Sequence, residues 1–349
     1  MKKVLSLAIA AALVAPAAAM ADATLFGKAH FIIQNTDIDD GTSAGTGDVW
    51  SVDSVHSRVG VKGSEDLGDG LTAVYHFEFK VNQDSGSGLG DRNQFIGMAG
   101  GFGTVLLGTH DTPLKMSQGK FDEFGDLPNG DIASVIPGDD RVDNVIAYVS
   151  PAMGGLTLVG AAVSGELGDG GTVGATDALT GLFDHLSLAG LYSNGPIFAS
   201  LAYNSYDLGS AVPGVEPSLI RATFIWDAGM WAVGGMYSSM DLDIPGVNDP
   251  DQMGISGHVK VGSAGKVKAQ YLMGDSPRGN VTDLGVSFSP DVTVGLPVST
   301  PENEVTQFSI GYEHAMSART TLHAGYTKYE EDQTNYEESA LFAGMIHNF

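Results

Sequence analysis

The stretch LTAVYHFEFKVN, residues 71–82, decides the fold. Leu71, Ala73, Tyr75, Phe77, Phe79 and Val81 fall on one face, and Thr72, Val74, His76, Glu78, Lys80 and Asn82 on the other. Side chains of a strand alternate between faces, so this pattern predicts a strand with one apolar and one polar side. The same period returns elsewhere. Leu25, Ala29, Phe31 and Ile33 oppose Lys28, His30 and Gln34. Met253, Ile255, Val259 and Val261 oppose Ser256, His258 and Lys260, and Phe308, Ile310 and Tyr312 oppose Gln307, Ser309 and Glu313.

A soluble sandwich would alternate too, and connection lengths separate the two architectures. Sixteen strands are predicted at 24–35, 50–63, 70–82, 91–100, 103–110, 142–149, 155–164, 185–193, 196–204, 218–227, 230–239, 252–261, 266–274, 305–315, 319–329 and 339–349. Every second connection is tight, such as Gly101–Phe102 or Asn194–Gly195, while the others are long, above all 111–141 and 275–304. An even number of roughly ten-residue strands, short turns at one end and long loops at the other describe an all-β, 16-stranded antiparallel transmembrane β-barrel. Closing the sheet leaves no edge with unpaired amides in lipid. The chain ends on an apolar strand, ALFAGMIHNF, with Phe349 last.

Composition narrows the function. The opening MKKVLSLAIAAALVAPAAAMA has a positive start at Lys2 and Lys3, an apolar run from Val4 to Ala15, and small residues Ala19 and Ala21 around Met20. That is the layout of a cleaved export signal over 1–21, too short and wrongly flanked for a membrane helix, leaving 22–349 as a single barrel. The absence of cysteine removes disulfides, zinc clusters and catalytic thiols, and no cofactor is expected. Without Lys2 and Lys3, 15 bases stand against 42 acids, a net of −27. Nucleic acid would need a basic footprint and is not an expected partner.

Several stretches resemble the general diffusion porins of Gram-negative bacteria: TLFGKAHFIIQ, SRVGVKGSEDLGDGLTAVYHFE, DRNQFIGMAGGFGTVLLGTHDTP, RVDNVIAYVSPAMGGLTL and SIGYEHAMSARTTLHAGYTKYE with the terminal HNF. The second is the most specific, and together they cover nearly all of 22–349. The resemblance implies a homotrimer in the outer membrane, in contact with its lipid and lipopolysaccharide, each barrel passing ions and small polar solutes. It implies that the third loop folds into the lumen, and that barrel-assembly machinery reads Phe349. It also implies basic constriction residues at Arg58, Arg92, Arg141 and Lys28, facing an acidic turn with Glu123 and Asp126 in DEFGD. Two departures stand out. Thr109 occupies a position where many relatives have arginine, and Gly119 one where an acid is common, which implies a constriction weaker in charge or wider than usual.

The residues themselves point the same way. Alternation sets His56, Arg58 and Lys62 against Val55, Val59 and Val61, so Arg58 faces the lumen. Loop 111–141 holds seven acids against Lys115, Lys120 and Arg141, and an acidic loop opposite basic wall residues creates a field across a narrow pore. A barrel enzyme would need a paired nucleophile and base, but G-x-S-x-G is absent and the histidines are scattered. The DLGDG and ELGDGG stretches lack the nine-residue period of calcium repeats and read as turns. A solute-selective porin with its own binding track is the closest alternative, although aromatics fall mainly on the predicted lipid face. N-terminal sequencing of outer-membrane material should begin at Asp22; intact Met1 in that fraction would refute the leader.

Overall fold

The computed structural model describes residues 23–39, 47–82, 88–164, 182–206, 215–243, 248–275, 287–289, 292–293 and 304–349. The predicted leader, 1–21, lies outside the described residues. The strands are β1 (Thr24–Asp39), β2 in two pieces (Gly47–Ser54 and Arg58–Gly68), β3 (Leu71–Asn82), β4 (Gly88–Gly100), β5 (Gly103–Asp111) and β6 (Arg141–Val149). They continue as β7 (Leu156–Val163), β8 (His185–Asn194), β9 (Ile197–Tyr206), β10 (Ser218–Asp227), β11 (Trp231–Asp241) and β12 (Asp251–Val261). The last four are β13 (Gly265–Asp275), β14 (Glu304–Ala315), β15 (Thr320–Glu331) and β16 (Tyr336–Asn348). Each pairs antiparallel with the next, and β16 returns to β1 in a register running from Lys28 opposite Asn348 to Asp39 opposite Glu337. At the seam, Gly27 N donates to Phe349 O at 2.9 Å and Phe349 N to Gly27 O at 3.0 Å. The expected closed, 16-stranded barrel is what forms. No helix among the described residues is long and apolar enough to cross a membrane; the strands do the crossing.

The tight connections turn for local reasons. Asp69 (φ 51) and Gly70 (φ 77) supply the two left-handed residues that a two-residue hairpin turn needs between β2 and β3. Several strands overrun their predicted limits: β1 continues to Asp39, β4 starts at Gly88 and β16 at Tyr336. Sixteen residues of β1 exceed what a ~30 Å hydrocarbon layer requires even for a tilted strand, so its upper part needs no apolar face and carries no apolar signal.

Facing follows the alternation almost everywhere. Leu25, Ile33, Phe77 and Ile255 are exposed outward, while His30 and Gln34 are buried inward. Bulges interrupt the alternation opposite Phe77–Phe79 and between Gly108 and His110, and at Val55 the structure corrects the expectation that set this residue opposite His56 and Arg58. Strand β2 breaks at 55–57, and His56 takes φ 48. Val55 then packs inward with Phe124 and Leu127, at 3% exposure, while His56 also turns inward. The broken ladder is repaired locally: Val55 N donates to His30 O, His30 N donates to Ser57 Oγ, and Val81 N donates to Ser57 O. A one-residue slip would exchange the two faces of any strand. Single cysteines at Phe77 and Val59 should therefore resist a membrane-impermeant thiol reagent that labels cysteines at His76 and Arg58. Equal labelling of the neighbours Phe77 and His76 would contradict this register.

Candidate functional site

Residues 112–140, between β5 and β6, fold into the lumen, and their apolar side chains explain why. Leu114, Phe121, Phe124, Leu127, Ile132, Val135 and Ile136 are all at most 3% exposed. Leu114 packs on Val159, Leu191, Ala202 and Leu219 of the inner wall, and Phe121, Ile132 and Ile136 pack on Ile225, Met236, Leu272 and Val305. Full burial of such a side chain stabilises by about 1.5–3 kcal/mol, so the loop is docked along its length rather than at one point. Its buried backbone is satisfied partly within the loop and partly by the wall. Thr112 Oγ1 accepts from Lys115 N and caps a single helical turn, α1 (Pro113–Met116). Asp122 accepts from Phe124 N and Ile132 N, and Asp131 from Asp126 N and Ala133 N. Gln307, on β14, donates to Asn129 O and Asp131 O. Arg221, fully buried on β10, fastens both ends of the loop: it donates to Leu114 O, to Pro137 O and, through Nε, to Ser238 Oγ at 3.1 Å.

Three groups of charges surround this loop. In the first, Asp126 Oδ2 meets Lys28 Nζ at 3.2 Å and Arg58 Nη1 at 3.7 Å, while its Oδ1 lies 3.3 Å from His56 Nδ1. Glu78 extends this group, bonding Arg92 Nε and lying 3.8 Å from Arg58 Nε. In the second, on the separate wall of β12 to β14, Glu123 meets His258 Nδ1 at 2.5 Å and Lys266 Nζ at 3.4 Å. Glu313 there pairs with Lys266 at 2.9 Å and Lys268 at 2.7 Å. The third joins Arg141 to Asp111 at 2.8 Å and to Asn93 Oδ1 at 2.7 Å, with Lys115 on Asp139 at 3.1 Å.

Lys28, Arg58 and Asp126 thus come together, and Arg92 joins them through Glu78. Arg141 and Glu123 do not; each belongs to a separate cluster. Glu123 and Asp126, three residues apart in one turn, reach different stretches of wall, β12–β13 and β1–β2. Glu78, His258, Lys266, Lys268 and Glu313 are structural partners that the sequence reading did not single out as a site, although alternation had placed Glu78, His258 and Glu313 inward. The two departures also gain a setting. Thr109 Oγ1 donates to Asp143 at 2.7 Å. Gly119 has φ +59, and a Cβ there would lie 2.5 Å from the Phe198 ring, so an acid at this position would be strained and blocked.

Residues 7–334 match the family described as Gram-negative porin. Outer membrane porin protein 32 of Delftia acidovorans is 27% identical, over 99% of this chain and 95% of that protein. Among solved structures, the anion-selective porin from Comamonas acidovorans superposes with a TM-score of 0.71 at 21% identity, covering 95% of this chain and 100% of that one. OmpT of Vibrio cholerae in its trimer form gives a TM-score of 0.60 at 15% identity, covering 94% of this chain and 99% of that one.

Burial alone would raise the Asp126 carboxyl, but Lys28, His56 and Arg58 facing it bring it down to about 2. A depressed carboxylate stabilises the folded arrangement above its unfolded value near 4, and the contribution disappears as pH falls through about 2. The two limits differ by roughly 2 kcal/mol of tethering. Single-channel current should therefore be quiet from pH 8 to 4 and grow noisy between about 4 and 2 as the loop tip loosens. Asp126→Asn should be noisy already at neutral pH. Noise appearing near pH 6 in the wild type would show that another group holds the tip.

Proposed function

The chain belongs to the Gram-negative porin family, an outer-membrane channel for passive diffusion, and we propose that its inserted loop and the charges around it form the constriction that screens solutes. The observation that carries this reading is the meeting of Asp126, at the loop tip, with Lys28 and Arg58 of the wall. Arg92, Arg141 and Glu123 complete the charged rim. Fixed charges of both signs beside a narrow aqueous path orient dipolar solutes and slow apolar ones. Cleavage after residue 21 belongs to the same proposal, as does assembly into a homotrimer, supported by the trimer form described for OmpT. Contact with lipid and lipopolysaccharide is supported by the apolar outward face, and recognition of Phe349 by assembly machinery is an expectation from the family resemblance.

Selectivity follows from where charge is left uncompensated. Inside, Lys28 and Arg58 face Asp126, Arg92 faces Glu78, and Arg141 faces Asp111. The seven other long loops of the sequence reading hold 25 acids and 1 base, Arg278. The outer mouth should thus concentrate cations ahead of a nearly balanced constriction. The similar porin from Comamonas acidovorans is described as anion-selective; at 21% identity that likeness concerns the fold, and selectivity rests on this chain's own charges. The mouth acts over about a Debye length, ~10 Å at 0.1 M salt. Reversal potentials under a salt gradient should show modest cation preference at low salt that fades toward none near 1 M. Arg58→Ala and Arg92→Ala should strengthen it. Clear anion selectivity of the wild type at low salt would mean that basic wall residues dominate and the loop acids are bystanders.

A further inference from the structure

The inner wall is not polar all round. Of the four apolar clusters facing inward, three include side chains of the inserted loop, which cover them: Leu114 in one, Phe121, Ile132, Val135 and Ile136 in the second, Phe124 and Leu127 in the third. The fourth, on β3 to β7, includes none. It consists of Val74, Leu106, Val145, Ala161 and their neighbours, with Phe95 packed against it. A cavity of about 1330 Å³ lies against this wall on the short-turn side of the loop. Phe95, Val149 and Phe198, half-buried, form its open carbon side, beside Val74 and Leu106, which are themselves buried.

The same cavity carries lysines whose charge is not answered. Lys62, Lys120 and Lys260 line it, are exposed, and form no ion pair among the described residues. Lys62 lies over the Phe26 ring at 5.0 Å and stands in register with His76, one inward position from Val74. The acids of the cavity are already engaged. Asp111 faces Arg141, Glu123 faces His258 and Lys266, Asp122 accepts two loop amides, and Asp227 accepts from Gly229 N in its turn. A carbon wall beside unanswered ammonium groups favours a solute with an apolar body and an anionic head.

We propose that this half of the lumen is a binding track for amphipathic organic anions, chiefly monocarboxylates with a short aliphatic or aromatic body. The proposal rests on the channel reading above and names the solute class that the channel retains. The apolar body lies along Phe95, Val149 and Phe198, and the carboxylate exchanges among Lys62, Lys120 and Lys260. Entry from the short-turn side bypasses the acidic mouth.

Purified protein in a planar bilayer at 0.15 M salt tests this, with acetate, hexanoate and hexanamide added in turn on the short-turn side. Four extra methylenes, about half buried against the wall, should let hexanoate reduce the current at a concentration about ten-fold below acetate. Hexanamide, with the same body and no charge, should act less strongly than hexanoate. Val149→Thr should narrow the gap between hexanoate and acetate. Lys62→Gln combined with Lys120→Gln should bring hexanoate toward hexanamide. Equal action of hexanoate and acetate on the wild type would overturn the apolar half of the proposal, and equal action of hexanoate and hexanamide the cationic half; either result leaves the channel reading standing. Protein that carries no ion current at all would sink the channel reading, and this proposal with it.

Discussion

In hydrocarbon there is no water to satisfy a backbone amide, and this requirement governs everything else in the molecule. It obliges the strands to pair through to the seam where Lys28 meets Asn348 and Gly27 exchanges two hydrogen bonds with Phe349. Once the sheet is closed, side chains can only point to lipid or to the lumen, so the alternation seen in residues 71–82 becomes a map of the pore wall. Irregular backbone is then tolerated only inside. Residues 112–140 occupy the lumen because Asp122, Asp131, Gln307 and Arg221 satisfy their buried polar groups while seven apolar side chains hold them to the wall.

That division explains what could be read from sequence. Strands, short turns and the inward direction of Lys28 and Arg58 follow from period two and turn chemistry, both local properties. Arg92, by contrast, shares its alternation with the outward Ile96 and Met98 and turns inward only through a bulge, where Phe77 pairs with Gln94 and Phe79 with Asp91. The meeting of Lys28, Arg58 and Asp126 was legible through the family resemblance, because the wall motifs and DEFGD are separately identifiable. The divergence of Glu123 and Asp126 was not, since it depends on a loop turn with Asp126 at φ 70. Nor was the break at 55–57, where two successive residues both face inward. Its trace in sequence is slight: Val55 continues an acceptable alternation, and only the fit of Val55 beneath Phe124 shows why the strand departs from it. The apolar inner wall left a clearer mark. LTLVGAAV, residues 156–163, is apolar on both faces, which a strand between lipid and water has no reason to be.

Charge is arranged in depth. The outer loops are acidic and little compensated, the level of the inserted loop is closely paired, and the short-turn side keeps lysines free beside carbon. Ion pairing at the middle level has a mechanical effect as well as an electrical one. Asp126 and Glu123 tie one turn of the loop to two separate stretches of the wall, so the loop cannot swing without separating charges in a partly desolvated lumen, where such separation is costly.

The position of the loop is therefore the claim on which the functional reading turns. The chain's lack of cysteine allows it to be tested by chemical cross-linking. With cysteines replacing Lys28 and Asp126, a short bifunctional thiol reagent should join the two in the folded barrel, at high yield and within one chain, and should fail once the barrel is unfolded. Absence of the cross-link in a folded barrel whose two cysteines each react singly would place the loop away from the β1 wall and contradict the constriction described above.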